Sequence, residues 1–207
     1  MKLVGLTGGI GSGKTTVGAL LVARGAVLVD ADALVRELQQ PGMPVFDAMV
    51  ERFGQGIVAA DGALDRQAVA DIVFNDPEAL RALNGIVHPA VGAEVARRIA
   101  AHNGTDDVVI ADIPLLAEGQ TQLPMSGVIV VDAPNDVQVA RLVSFRGFNE
   151  ADARARIANQ ASREDRLAKA GFVIDNSGAP DDLETQIDAA WKWIESLEPA
   201  EAVTPPP

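Results

Sequence analysis

Gly8-Gly-Ile-Gly-Ser-Gly-Lys14-Thr15-Thr16 carries residue types and a spacing that could grip the phosphates of a nucleotide. Gly8 and Gly13 bracket four residues ahead of Lys14 and Thr15, the pattern G-x-x-x-x-G-K-[ST], in which successive backbone N–H groups turn inward to cradle oxyanions. Glycine is needed where a Cβ would block that turn. Lys14 can reach the β- and γ-phosphates, the Thr15 hydroxyl can ligand Mg²⁺, and a helix starting near Lys14 aims its positive dipole end at the same charge. An ordinary glycine-rich turn is the bland alternative, but the lysine, the hydroxyl and the preceding apolar run Leu3–Leu6 all fall where phosphate binding needs them. The dinucleotide pattern G-x-G-x-x-G cannot be laid on Gly8 to Thr16 in any frame.

A phosphate grip alone leaves motors, switches and kinases open. Asp112 closes an apolar run, where P-loop proteins place the carboxylate that holds Mg²⁺ opposite the loop hydroxyl; a helix cap or turn aspartate is the plain alternative. Asp30 and Asp32 come one βα unit after the loop and are expected beside the γ-phosphate, where an acceptor hydroxyl would bind. A carboxylate taking that hydroxyl's proton contributes roughly 10²- to 10⁴-fold in rate. One of the two is expected to act and the other to support, position favouring Asp32, with a simple Asp-x-Asp helix start left open.

The chain carries a formal charge of −12, which argues against nucleic acid as its main partner. Six of its thirteen arginines nevertheless fall between positions 141 and 166, a window that nets +2. Glu150 with Arg154 and Asp152 with Arg156 have the i,i+4 spacing of helix-surface ion pairs. Arg146, at a helix break before Gly147, has no such partner, and Arg141 lies on the helix leading into it. Both suit a cationic flap that closes over triphosphate and stabilises transition-state charge. His88-Pro89 reads as a lone histidine at a helix break, in a structural role.

These residues need a scaffold. Short apolar runs at 1–6, 26–29, 107–112, 127–132 and 172–174 read as buried strands. Helices are expected over Lys14–Arg24, Pro44–Phe53, Asp65–Phe74, Pro77–Val87, Pro89–His102, two or three segments of the arginine window, and Asp181–Leu197, with prolines 44, 77 and 89 opening three of them. Strands alternating with helices predict an α/β fold with a five-stranded parallel sheet covered on both faces. One domain is expected, with a core of 1–32, 104–140 and 167–197, a helical insert over 33–103, a lid over 141–166 and a disordered tail over 198–207. Without cysteine, visible signal peptide or bilayer-length apolar run, the expected location is the cytoplasm, with no membrane partner.

Taken together the residues resemble the dephospho-CoA kinase family, P-loop kinases that phosphorylate the 3′-hydroxyl of dephospho-CoA in the last step of coenzyme A synthesis. The resemblance runs from Val4 to about Asn176. It rests on Gly5-Leu-Thr-Gly-Gly-Ile-Gly-Ser-Gly-Lys-Thr-Thr16, Val29-Asp-Ala-Asp32 with Arg36, Leu64-Asp-Arg66 with Phe74, and Leu83 with His88-Pro89. It continues through Asp112-Ile-Pro-Leu-Leu116 with Glu118, Val131-Asp-Ala-Pro134, Arg141-Leu142, Arg156 with Gln160, and Asn176. It implies a three-layer P-loop kinase fold and ATP bound by Gly11, Ser12, Gly13, Lys14, Thr15, Thr16 and Asn176. It also implies Mg²⁺ at Thr15 and Asp112, Asp32 as base, and Arg141 and Arg146 in the lid. The insert becomes the region for the CoA precursor, with Asp30, Arg66 and His88 in substrate roles, and the partner is a small molecule bound by a monomer or weak homo-oligomer. Two positions depart from the family pattern. Ala170-Gly171 replaces the usual Ala-Asp, and Ala117 replaces an aromatic residue. The alternatives are another small-molecule kinase, such as one for shikimate or a nucleoside, and a GTP-dependent switch, although no Asn-Lys-x-Asp guanine motif exists.

Overall fold

Five short apolar segments form the sheet: β1 (Lys2–Gly8), β2 (Val27–Asp30), β3 (Val108–Asp112), β4 (Gly127–Asp132) and β5 (Phe172–Asp175). All pair in parallel, in the order β2-β3-β1-β4-β5. The structure, a computed structural model, describes residues 1–113 and 123–206. Consecutive strand residues such as Leu3 and Val4, or Val109, Ile110 and Ala111, have no solvent exposure. Because neighbouring side chains leave a strand on opposite faces, the sheet is covered on both.

The chain divides into two units, residues 1–30 with 99–203 and residues 31–98 with 204–207. The first holds the sheet with α1 (Lys14–Ala23), α6 (Asn135–Arg146), α7 (Glu150–Ala158), α8 (Arg163–Leu167) and α9 (Pro180–Ser196). The second holds α2 (Ala31–Leu38), α3 (Pro44–Phe53), α4 (Arg66–Phe74) and most of α5 (Pro77–Ala100), with a small antiparallel bridge between Val58 and Leu64.

The expected helix break at His88-Pro89 does not occur, since α5 runs through Pro89 as one 24-residue helix. A proline inside a helix costs about 3 kcal/mol, because it removes the bond to the carbonyl four residues back and crowds it. Here that carbonyl belongs to Gly85, which has no side chain. Val87, with Leu83 and Ile86 before the proline and Ala90 and Val91 after it, packs into one cluster with Val45, Met49, Ile57 and Val69. Each buried side chain of this size contributes roughly 1.5–3 kcal/mol, so the shared apolar face offsets the proline. The result places His88 on an exposed stretch of continuous helix, neither capping nor partly buried.

The tail also departs from expectation. Val203 is 5 % exposed, and the Asn103 amide both donates to the Val203 carbonyl (2.9 Å) and accepts its N–H (3.0 Å). Ala200 N–H bonds the Met1 carbonyl at 3.1 Å. One apolar side chain and one bidentate amide hold a segment whose composition alone suggests disorder.

Gly171, where the family pattern has aspartate, lies against Trp193 of α9. A Cβ there would come within 2.7 Å of the indole, and one at Gly127 within 2.6 Å. The indole therefore occupies a groove between two glycines, tilted 38° against Phe172 at 5.5 Å. Gly171→Asp is expected to lower stability by about 1–3 kcal/mol through overpacking. Urea unfolding checks this, and an unchanged midpoint would show that Trp193 can vacate the groove without loss.

Candidate active site

The glycine loop leaves the carboxyl end of β1, the central strand, and enters α1 at Gly13. Gly13 sits at φ 92° and ψ 19°, in the left-handed region, as the N-terminal cap of α1. A Cβ at Gly13 would lie 2.1 Å from Asn176 Nδ2. At Gly8 it would lie 2.6 Å from both Ser12 Oγ and the Val131 carbonyl. Glycine is thus imposed at these two positions by the neighbours as well as by the turn.

Residues far along the chain hold the loop from outside. Gln160 Oε1, just beyond α7, accepts the Ile10 N–H at 2.8 Å. The Ser12 carbonyl accepts from Asn176 Nδ2 at 2.7 Å and from Arg141 Nη1 at 3.3 Å, and Arg141 Nη2 donates to the Asn176 carbonyl at 2.8 Å. In a planar trans peptide the carbonyl and the following N–H point in opposite directions. Holding the Ser12 carbonyl outward therefore turns the Gly13 N–H inward, beside the first N–H groups of α1, which have no acceptor within their own helix. A row of inward donors at a helix N-terminus is an anion site.

Lys14 Nζ donates to Asp112 Oδ1, bridging α1 and the end of β3 in a contact that is largely buried. Asp112 is in register with Leu6 on one side and Asp30 on the other, so two carboxylates stand on adjacent strand ends beside the loop. Thr15 is exposed in the first turn of α1, as is Thr16. Asp132 closes β4 as Asp112 closes β3, and Arg163 grips both of its oxygens, with Nε–Oδ1 2.9 Å, Nε–Oδ2 3.1 Å and Nη2–Oδ2 2.6 Å. The hydrogen bond to Asp132 raises the Arg163 pKa above its ordinary value.

The site thus joins Gly11, Ser12, Gly13, Lys14, Thr15 and Thr16 with Asp112, Asp30, Arg141 and Asn176. Arg146 stands apart, exposed at the last residue of α6 before the left-handed Gly147. Of the two expected helix-surface pairs, Glu150–Arg154 forms (2.7 Å), while the Arg156 guanidinium lies over the Phe148 ring at 4.8 Å and Asp152 bonds Asn149. In the second unit, Asp32 is exposed in the first turn of α2, Arg66 Nη1 donates to Gln39 Oε1 at 2.8 Å, and His88 is exposed on α5. Leu115, Leu116, Ala117 and Glu118 lie outside the described residues.

A family model described as dephospho-CoA kinase matches residues 2–182. The chain belongs to the dephospho-CoA kinase family. A dephospho-CoA kinase from Streptomyces avermitilis is 50% identical over 191 residues, covering 92% of this chain and 93% of that protein. Among solved structures, TT1252 from Thermus thermophilus superposes with a TM-score of 0.78 at 33% identity, covering 93% of this chain and 97% of the other. A dephospho-CoA kinase from Campylobacter jejuni gives 0.67 over 93% of this chain and 97% of that one, its 22% identity speaking for the fold alone.

Other polar residues beside the loop and at the end of β4 carry little signal in the sequence. The Asp132–Arg163 pair spans 31 residues, and its one visible signal was an acid closing a strand, as at Asp112. Gln138, 1 % exposed on α6, donates through Nε2 to the Ala133 carbonyl at 2.7 Å and packs against Gly9. Arg166 is 5 % exposed and packs there too. Neither carries a pattern that separates it from surface polar residues.

Proposed function

We propose that the residues around the glycine loop and those of α2 divide the work of moving the γ-phosphoryl group of ATP to the ribose 3′-hydroxyl of dephospho-CoA. The observation that carries this reading is the meeting of the loop, Lys14 and Asp112 at the carboxyl ends of β1 and β3, the place where open α/β sheets bind ligands. Membership of the family supplies the acceptor. The loop N–H groups and Lys14 hold the β- and γ-phosphates, and Arg141 and Asn176 keep the loop in its inward-donating shape. The acceptor oxygen attacks the γ-phosphorus, the bond to the β,γ-bridging oxygen breaks, and ADP leaves. Asp32 takes the hydroxyl proton, which preserves the nucleophile's alignment through the transfer. Arg146 is the lid arginine that closes over the developing charge. Asp30 supports the acceptor side, and Arg66 and His88 bind the acceptor within the helical unit.

Thr15 and Asp112 offer a hydroxyl and a carboxylate, hard oxygen donors that suit Mg²⁺, an ion that fills most of its octahedral shell with water and phosphate. Thr15 and Asp112 would hold the ion on the protein side, and it would supply positive charge against the negative charge developing on the phosphates. Among the described residues no helix is long and apolar enough to cross a membrane. The location that goes with this reading is the cytoplasm.

The test is an acceptor panel with ATP and Mg²⁺, read by ADP release and product mass. Dephospho-CoA is expected to give multiple turnovers and a product one phosphate heavier. Preference for shikimate or a nucleoside overturns the acceptor, and tighter binding of GTP than ATP overturns the kinase reading.

A further inference from the structure

Arg166 is a buried cation without a carboxylate of its own. Its residue is 5 % exposed, and Nη1 donates to the Ala161 carbonyl at 2.5 Å. It makes no ion pair among the described residues. Arginine does not lose its proton in proteins, so the charge stays, and a buried charge without a partner is expensive. Burial pulls its pKa below the ordinary arginine value, in the direction this cost requires. Asp132 and Glu164 favour its charge from a distance, but neither forms an ion pair with it. Asp132 is committed to Arg163 through three contacts, Glu164 is exposed to water, and Arg163 adds a second positive charge.

The guanidinium lies against the start of the glycine loop. A Cβ built at Gly9 would meet Arg166 Nη2 at 3.0 Å and Gln138 Oε1 at 2.9 Å. That Gln138 oxygen is itself buried and makes no hydrogen bond. On its other side Arg166 lines, with Arg163, Gln160 and Ser162, a cleft of ≈ 500 Å³ between α6, α7 and α8. α8 is thus anchored so that its buried charge faces the loop backbone, while its other arginine neutralises the end of β4.

We infer that Arg166 is a positioning residue for the phosphate grip: a fixed buried cation against Gly9 whose charge is balanced by the polyphosphate held on the loop. The inference rests on the nucleotide reading of the loop. Replacing a buried, unpaired charge by an apolar side chain of similar volume is neutral or stabilising. A cation serving only the fold would behave in the opposite way.

The experiment compares Arg166→Lys, Arg166→Gln and Arg166→Met with the parent, measuring calorimetric affinity for ATP, ADP and adenosine, and the thermal midpoint without nucleotide. Arg166→Gln and Arg166→Met are expected to weaken ATP by roughly 10- to 100-fold and ADP by less. Adenosine affinity and the midpoint should be unchanged or, for the midpoint, raised. Arg166→Lys, which keeps the charge, should recover most of the ATP affinity. Equal losses for ATP and adenosine, a lowered midpoint with parental ATP affinity, or equal losses for Arg166→Lys and Arg166→Gln overturn the inference. Should Arg166→Met fail to fold, the Lys and Gln pair decides, because Gln retains a donor for the Ala161 carbonyl without the charge. No ATP binding by the parent overturns the loop reading itself, whereas equal binding by parent and variants overturns this inference alone.

Discussion

Asp32→Asn is expected to lower kcat for dephospho-CoA phosphorylation by roughly 10²- to 10⁴-fold while ATP affinity is retained. Asn keeps the size and most of the local hydrogen bonding of Asp but cannot accept the acceptor's proton as a base. Asp32 is exposed in the first turn of α2, two residues beyond the end of β2. If it merely favoured the start of that helix, Asn would serve almost as well, since the two rank together as helix-start residues. Steady-state turnover with saturating dephospho-CoA, paired with calorimetric ATP binding, separates the two readings. Near-parental turnover of Asp32→Asn removes Asp32 from the base role and leaves it a helix-start residue.

Gly13→Ala is expected to weaken ATP binding on the order of 10²-fold or more, through two effects that act together. Backbone at φ 92° is strained for any residue with a Cβ, and that Cβ would lie 2.1 Å from Asn176 Nδ2. Asn176 must then leave the Ser12 carbonyl, and the outward pull that turns the Gly13 N–H toward phosphate is lost. Gly25, at φ 104° with nothing within 4 Å of its Cβ position, provides the comparison. Gly25→Ala carries backbone strain of the same kind without the collision, so it should cost stability and spare nucleotide affinity. ATP binding by Gly13→Ala no weaker than by Gly25→Ala would show that the clamp does not govern the loop.

Local chemistry makes much of this molecule legible in its sequence. The five strands were visible because residues buried on both faces of a parallel sheet form unbroken apolar runs, and the loop because phosphate binding constrains each of its positions. Asp112 was visible for the same reason, as an acid closing such a run. What escaped depends on contacts between distant segments. The continuity of α5 through Pro89 comes from an apolar face shared across the proline, which a local rule for helix starts does not weigh. Spacing pairs Arg156 with Asp152, yet the Phe148 ring outcompetes an exposed carboxylate for its guanidinium. Gln138 and Arg166 were unreadable because burial of a single polar side chain leaves no periodic trace. The tail is not legible in composition, which describes the average of a segment, whereas one valine against one asparagine holds it.

The clamp on the Ser12 carbonyl has a temporal side. Its donors, Arg141 and Asn176, lie 129 and 164 residues after the carbonyl they hold. Contacts of such separation form only after the intervening chain has been ordered, with its loop-closure entropy overcome. During synthesis the glycine motif emerges from the ribosome first, whereas the side chains that give it its gripping shape arrive with α6 and the end of β5. The motif is therefore written well before the residues that complete it, so a chain made only as far as α5 carries the signature of the grip without the grip.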